Sequence, residues 1–107
     1  MIFLTDESEL SLDKEKIVLY FYSNWMPFNK KMLLMISKME EKYNNLICYG
    51  IDVDAFKNLC TRFEIDEIPT TIIFFKNKER KRIKGVVMSS AFRSAFNDIF
   101  NSVKEKI

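Results

Sequence analysis

Histidine is absent from the 107-residue sequence, and cysteine, glycine and proline occur only twice each. Without histidine the chain has no imidazole base, which excludes Ser-His-Asp and Cys-His catalytic sites and zinc sites built with histidine. Two cysteines, Cys48 and Cys60, are too few for a disulfide-stabilised scaffold or a four-cysteine metal centre.

Long apolar runs and a basic N-terminal leader are also missing. The longest uncharged apolar run, from Ile17 to Phe21 and on through Trp25 and Met26, is far shorter than the roughly 20 residues that span a bilayer. The first residues turn acidic at once, unlike those of a secretory signal. We therefore expect a cytoplasmic or other intracellular protein that is neither secreted nor in a membrane, where isolated thiols stay reduced.

The composition is that of an ordinary folded domain. Hydrophobic residues make up 48% of the sequence and charged residues 30%, and ten residues are phenylalanine, which provides core material without a low-complexity signature. No repeat and no stretch rich in glycine, serine or proline divides the chain. We therefore predict a single domain over residues 1–107 and leave its oligomeric state open.

Apolar spacing along the chain predicts alternating strands and helices. Ile17 to Tyr22 form a continuous β-branched and aromatic run, typical of a strand buried on both faces. Apolar residues three and four apart, from Pro27 to Tyr43, mark one face of a helix. We place strands at residues 1–5, 17–22, 46–53, 71–75 and 82–87, and helices at 6–12, 27–43, 55–63 and from 89 or 90 to about 103.

The resulting order, β-α-β-α-β-α-β-β-α, belongs to the α/β class. It implies parallel βαβ units, a final antiparallel hairpin with its turn at Asn77 and Lys78, and a mixed central sheet flanked by helices on both faces. We expect Asn24 to cap the long helix and a serine at position 89 or 90 to cap the last one. Gly85, inside the last strand, indicates a bulge or a close backbone approach.

Two short segments connect this order of elements to a known family. One is the segment at residues 22–30, which carries Trp25 and Pro27 at the start of the long helix, and the other is Ile68-Pro69-Thr70. Together they resemble the thioredoxin family, with a match in register from residue 1 to about residue 100. The resemblance implies the thioredoxin fold and a cis peptide bond before Pro69, which faces the start of the long helix and shapes a groove for an extended substrate peptide.

The redox motif of that family is replaced in this sequence. Where thioredoxins carry Trp-Cys-Gly-Pro-Cys-Lys, the chain reads Trp25-Met26-Pro27-Phe28-Asn29-Lys30, so Met26 and Asn29 stand at the positions of the two cysteines. Disulfide exchange needs a thiolate to attack and a second thiol to resolve the mixed disulfide, and a thioether and an amide supply neither. The family's buried Asp and its frequent Lys partner likewise fall at Tyr20 and Gly50. We therefore predict that the chain is not an enzyme and has no catalytic residues.

We expect the retained groove to act as a binding surface. The hypothesis is a redox-inactive, thioredoxin-like domain that binds a protein or an extended peptide, with no small-molecule substrate. An apolar surface that includes methionine adapts to peptide side chains. Two structural explanations stand beside this one: apolar residues also fill the space of a lost redox site, and Pro69 also serves simply to start a strand. The partner-binding residues are Trp25, Met26, Phe28, Ile68, Pro69 and Thr70, and the degenerate redox motif comprises Met26, Pro27, Phe28 and Asn29.

Two alternatives remain open. In the first, Cys60 or Cys48 supports an atypical thiol-disulfide exchange or a redox-regulated function. The resemblance, however, places both cysteines away from Trp25, and a free cysteine commonly packs in the core as a small hydrophobic residue. In the second, the six cations of residues 76–84 bind an anionic partner, although lysines on an edge strand also prevent strand addition. No aromatic residues interleave with these cations, and we expect no nucleic-acid partner.

Two acidic pairs at strand ends raise the question of a metal site. Asp52 stands with Asp54, and Asp66 with Glu67. Two carboxylates without a third ligand are weak support for a metal, and strand termination and helix capping explain them. We therefore predict no metal and no other cofactor.

Overall fold

A computed structural model of the chain describes residues 1–101. A single 3-10 turn covers Glu7–Glu9. The longest helix has 14 residues, and within residues 1–101 no helix has the length and apolar character needed to cross a membrane. The strands are β1 (Ile2–Phe3), β2 (Lys16–Tyr22), β3 (Leu46–Asp52), β4 (Thr70–Phe75) and β5 (Lys78–Lys84), and the helices are α1 (Asn29–Lys42), α2 (Lys57–Arg62) and α3 (Ser89–Phe100).

The strands form one mixed sheet in the order β1-β3-β2-β4-β5. β2 lies at its centre, parallel to β3 and antiparallel to β4, and almost all of its side chains are buried, as a strand covered on both faces requires. β4 and β5 form the antiparallel hairpin. Helices α1 and α3 cover one face and α2 covers the other, so the predicted α/β class and mixed, doubly covered sheet are confirmed.

Two apolar layers hold the helices on the sheet. Alternate residues of β2 point to opposite faces, so Val18 and Tyr20 join the layer under α1 and α3, whereas Ile17 and Leu19 join the layer under α2. The first layer is rich in aromatic rings whose contacting pairs have centroids 4.9 to 6.4 Å apart. The rings belong to Tyr43, Phe75, Phe92, Phe96 and Phe100.

The start of α1 differs from the prediction. Phe28 has a left-handed backbone conformation, with φ at 66°, and a right-handed helix does not continue through such a residue. Pro27 therefore precedes the helix instead of occupying its first turn. Asn24 does not cap the helix, because its side-chain amide donates to Oδ2 of Asp52 at 3.3 Å.

The hairpin turn also lies earlier than predicted. Lys76 and Asn77 both have positive φ and form the turn, so that β5 begins at Lys78 and ends at Lys84. The predicted strand at 82–87 overlaps β5 only at residues 82–84, because the charged residues after the turn give no apolar alternation to detect.

Two further helix predictions need correction. The predicted helix at 6–12 is reduced to the 3-10 turn, which Asp6 and Glu9 close with a reciprocal capping box. Met88, and neither predicted serine, occupies the capping position of α3, without a side-chain cap hydrogen bond. The end of this helix, predicted at about residue 103, lies outside the described residues.

Candidate functional site

The segments that carry the predicted site meet at one end of the sheet. Tyr22 ends β2, and the chain then runs through Trp25 to the start of α1. Because β4 is antiparallel to β2, its first residue, Thr70, lies opposite Phe21. The Ile68–Pro69 peptide bond, which is cis, comes directly before β4 and therefore lies beside the loop that leads into α1.

Three of the predicted binding residues are accessible and three lie beneath them. Trp25 is 72% exposed and Phe28 63%, and Ile68 is half-buried. The Met26 backbone N–H donates to Ser23 O at 3.1 Å, closing a turn that leaves Trp25 on the outside. Met26, Pro69 and Thr70 are buried and support this surface from below.

The loop after β5 adds a residue that the sequence analysis did not assign to the site. Gly85 has φ of +84°, a conformation that glycine adopts without a steric penalty, and its N–H donates to Pro69 O at 2.8 Å. This bond draws the loop to the cis-proline and leaves Val86 40% exposed. Glycine within a predicted strand was the signal for this approach. We call Trp25, Phe28, Ile68 and Val86 the Trp25 surface.

A hydrogen bond joins two of the substituted positions. The Tyr20 hydroxyl donates to Oδ1 of Asn29 at 2.6 Å, so the residue at the family's buried Asp position holds the residue at its second cysteine position. Tyr20 is fully buried, and its burial raises its pKa above the ordinary value. The joint occurrence of these two substitutions was a signal in the sequence that the two side chains are partners.

Aromatic rings occupy the space behind this pair. Tyr20 stacks on Tyr22 with centroids 5.5 Å apart and ring planes 7° from parallel, and Phe3 packs edge-on against Tyr22 at 6.1 Å. A Cβ atom at Gly50 would lie 2.6 Å from Cδ1 of Phe3. The Phe3 ring therefore occupies the place where a side chain at Gly50 would begin, and a stack of rings connects Tyr20 with Gly50, the positions of the family's buried Asp and its Lys partner.

The start of α1 provides no nucleophile within residues 26 to 29. Met26 is 8% exposed and belongs to the core, and Asn29 is held by Tyr20. The first turn contains Lys30 and Lys31 and no acidic residue, which adds positive charge to the positive end of the helix. The loop and helix start thus offer an apolar, positively polarised surface with no thiol.

One cysteine lies closer to this surface than predicted. Cys60 lines a cleft of about 290 Å³ together with Trp25 and Ile68, so the expectation that it lies away from Trp25 was wrong. Its Sγ is 4.0 Å from Val53 O, and partial burial raises the pKa of the thiol. Cys60 therefore contributes to the cleft mainly as a protonated, weakly polar group.

Cys48 has a structural position in β3. It is 1% exposed, and burial raises its pKa well above the ordinary value. Both cysteines are free, so no Cys48–Cys60 disulfide is formed.

Three carboxylates of the two acidic pairs accept hydrogen bonds, and the one at Asp66 accepts from Nζ of Lys84 at 3.1 Å. Asp52 accepts from the Asn24 amide at 3.3 Å and the Asp54 backbone N–H at 2.9 Å, and Asp54 accepts from the Ser23 hydroxyl at 2.7 Å. Over the described range 1–101, no cluster of three or more carboxylate or cysteine ligands is arranged to hold a metal.

A thioredoxin family model matches residues 4–98 of the sequence. The chain belongs to the thioredoxin family. Thioredoxin-2 of Saccharomyces cerevisiae is 29% identical over 79 residues, which cover 74% of this chain and 76% of that protein. Thioredoxin-1 of Drosophila yakuba is 35% identical over 69 residues, 64% of each chain.

Solved thioredoxin structures share the fold. Oxidised thioredoxin O2 from Arabidopsis thaliana superposes with a TM-score of 0.83 at 21% identity and covers 92% of this chain and 93% of its own. Oxidised mitochondrial thioredoxin 3 from Saccharomyces cerevisiae gives a TM-score of 0.78 at 21% identity, covering 92% and 95%. The predicted thioredoxin fold is therefore confirmed.

Family membership overturns one prediction. We expected the chain not to be an enzyme, whereas its relatives are named thioredoxins, which are oxidoreductases. That prediction was wrong: the chain is a member of a family of redox enzymes. It rested on four positions of the redox site, Tyr20, Met26, Asn29 and Gly50, whereas the family match extends over most of the chain. The cytoplasmic or other intracellular location stays a prediction.

Proposed function

We propose that this thioredoxin-family protein binds an extended segment of a partner protein at the Trp25 surface. The observation that carries the proposal is the exposure of two large aromatic rings in the loop that leads into α1, Trp25 at 72% and Phe28 at 63%. Trp25 also lines a shallow cleft with Ile68, which precedes the buried cis-proline. Large exposed rings next to a cleft are typical of binding sites because a partner that covers them removes much apolar surface from water.

The magnitude of this burial supports a peptide ligand. Covering an aromatic side chain contributes roughly 2 kcal/mol at about 25 cal/mol per Å² of apolar surface. Trp25 and Phe28 together would then supply a large part of the free energy needed for micromolar binding, about 8 kcal/mol. The adjoining Ile68 and Val86 would extend the contact along the chain of an extended ligand.

The proposal agrees with the family assignment. Thioredoxins act on protein substrates, so docking of a protein segment is a step that a disulfide reductase and a binding module have in common. The substitutions at Met26 and Asn29 leave the surface around them in place, since Met26 packs into the core and Asn29 is held by Tyr20.

The test uses Trp25 both as a contact and as a reporter. It is the only tryptophan in the sequence, so its fluorescence reports directly on the proposed surface. We would probe an array of immobilised random twelve-residue peptides with the purified protein and then titrate the binding peptides in solution. Binding at the Trp25 surface should shift the tryptophan emission to shorter wavelength, because the ring leaves water.

A matched pair of variants places the contact. Measured by isothermal titration, because the variant lacks the only tryptophan, Trp25→Ala should weaken binding by about thirtyfold or more, the effect of losing a central aromatic contact. Leu34→Ala removes another exposed apolar side chain, 60% exposed on α1, and should change the affinity less than twofold. Equal affinity of Trp25→Ala and wild type, or an array without any binding peptide, would contradict the proposal.

A further inference from the structure

The cations of the β4–β5 hairpin are divided between the two faces of the sheet. Lys78 lies opposite Phe75, and Lys81 lies opposite Ile73. Both apolar partners belong to the layer under α1 and α3. Because directly opposed side chains of an antiparallel pair project from the same face, Lys78 and Lys81 project on the side of these two helices.

The cations on the α2 side are neutralised within the molecule. Arg82 forms an ion pair with Glu79 at 2.9 Å and also donates to Phe63 O at 2.7 Å. Lys84 pairs with Asp66 at 3.0 Å, and this contact lowers the pKa of the Asp66 carboxyl. Arg82 and Lys84 are therefore already engaged in contacts within the protein, which join β5 to the loop before β4.

The remaining hairpin cations have no such partner. Lys76 Nζ and Arg80 Cζ lie 5.1 and 5.6 Å from the centroid of the Phe75 ring, which places both beside Lys78 and Lys81. All four are exposed, and among residues 1–101 none of them forms an ion pair. We call these residues, Lys76, Lys78, Arg80 and Lys81, the hairpin cation cluster.

The same strand has an open edge. β5 is the outermost strand of the sheet, it is seven residues long, and in the part of the chain that the structure describes no strand pairs with its outer side. Such an edge presents unpaired backbone N–H and C=O groups that can accept a further strand.

We propose that an extended, acidic segment of a partner protein adds to β5 as a sixth strand and that the hairpin cation cluster selects it. Pairing with the open edge supplies backbone hydrogen bonds. The four unpaired cations supply charge complementarity along the face that such a strand would share. A nucleic acid would use the charges alone, since Phe75, the ring that these cations contact, is 4% exposed and offers no stacking surface.

The charge of the edge also determines what it rejects. A second copy of β5 would bring the same cations opposite one another, and a neutral strand would cover them without compensation. The same cations that disfavour pairing with a basic or neutral strand thus favour an acidic one. Unfavourable interactions with other partners contribute to specificity in this way. This surface is separate from the Trp25 surface, so the proposal for β5 does not depend on the function proposed for the Trp25 surface.

The test measures binding of a labelled seven-residue peptide that alternates glutamate and valine, by fluorescence anisotropy at low and moderate salt. The triple variant Lys78→Glu, Arg80→Glu and Lys81→Glu should bind it about tenfold or more weakly than wild type, since three charge pairs become repulsive. A matched triple variant, Lys38→Glu, Lys57→Glu and Arg93→Glu, changes the net charge equally at exposed positions elsewhere and should bind within about twofold of wild type.

Further probes separate strand pairing from charge alone. The same peptide with every backbone amide N-methylated keeps its charge but cannot donate backbone hydrogen bonds, and it should bind at least several-fold more weakly. The corresponding Lys78→Gln, Arg80→Gln and Lys81→Gln variant should show an intermediate affinity, which guards against misfolding of the charge-reversed protein. Equal loss in both Glu triple variants, equal binding of the methylated peptide, or tighter binding of a single-stranded oligothymidine would each overturn the proposal.

Discussion

At the scale of single residues, the Tyr20–Asn29 hydrogen bond ties the central strand to the first turn of α1. The Tyr20 hydroxyl is buried and has Asn29 Oδ1 as its partner at 2.6 Å. Asn29→Ala leaves that hydroxyl without its partner and should lower the free energy of unfolding by about 1 to 3 kcal/mol, whereas Tyr20→Phe should lower it by about 0.5 to 1.5 kcal/mol.

Urea denaturation of both variants and of the double variant measures the coupling between the two side chains. The double variant should be less destabilised than the sum of the single ones by about 1 kcal/mol, and additive losses would show that the hydrogen bond contributes nothing to stability.

At the scale of elements, the start of α1 carries a residue in an unfavourable backbone conformation. Phe28 has φ of 66° and is 63% exposed, so its ring contributes little packing while its Cβ disfavours the left-handed region. Phe28→Gly should therefore be more stable than Phe28→Ala by about 1 kcal/mol, because both variants lose the ring and glycine alone tolerates this conformation. Thermal and urea unfolding measure the difference. Equal stability of the two variants would show that the conformation carries no cost at this position.

The same element shows how far the sequence alone could be interpreted. Strands β2 and β4 were recognised because their runs of β-branched and aromatic residues require burial on both faces, and the long helix was recognised from its apolar spacing. Its first residue was misplaced because proline at residue 27 favours a helix start, while the left-handed conformation of Phe28 follows from how the loop meets the sheet. The position of Cys60 in the cleft with Trp25 and the approach of Gly85 to Pro69 likewise depend on contacts between distant segments, which spacing along the chain does not encode.

At the scale of the whole molecule, the hairpin connects two surfaces that lie at opposite ends of β4. Thr70, at the site end, pairs with Lys84, and Phe75, at the other end, pairs with Lys78. A strand rises about 3.3 Å per residue, so Lys78, opposite Phe75, lies five steps or about 17 Å from Thr70, and Lys81, opposite Ile73, lies three steps or about 10 Å from it. Exposed charges at such a distance are largely screened at physiological salt, and no described residue belongs to both surfaces.

This separation predicts that the two proposed ligands bind independently. Trp25→Ala should weaken binding of a peptide at the Trp25 surface by about thirtyfold or more and change the affinity for the acidic peptide by less than about twofold, within the limits of additivity for distant sites. The charge-reversed hairpin variant should do the opposite. Saturation with one peptide should leave the affinity for the other unchanged because the two surfaces are separate, and linkage requires the same result in both orders. Isothermal titration of each peptide into the protein, alone and saturated with the other, measures this directly. A change in the affinity for either peptide would contradict independent binding. It would mean that binding at one end of the sheet alters the conformation at the other, through β2 and β4, the buried strands that connect the two ends.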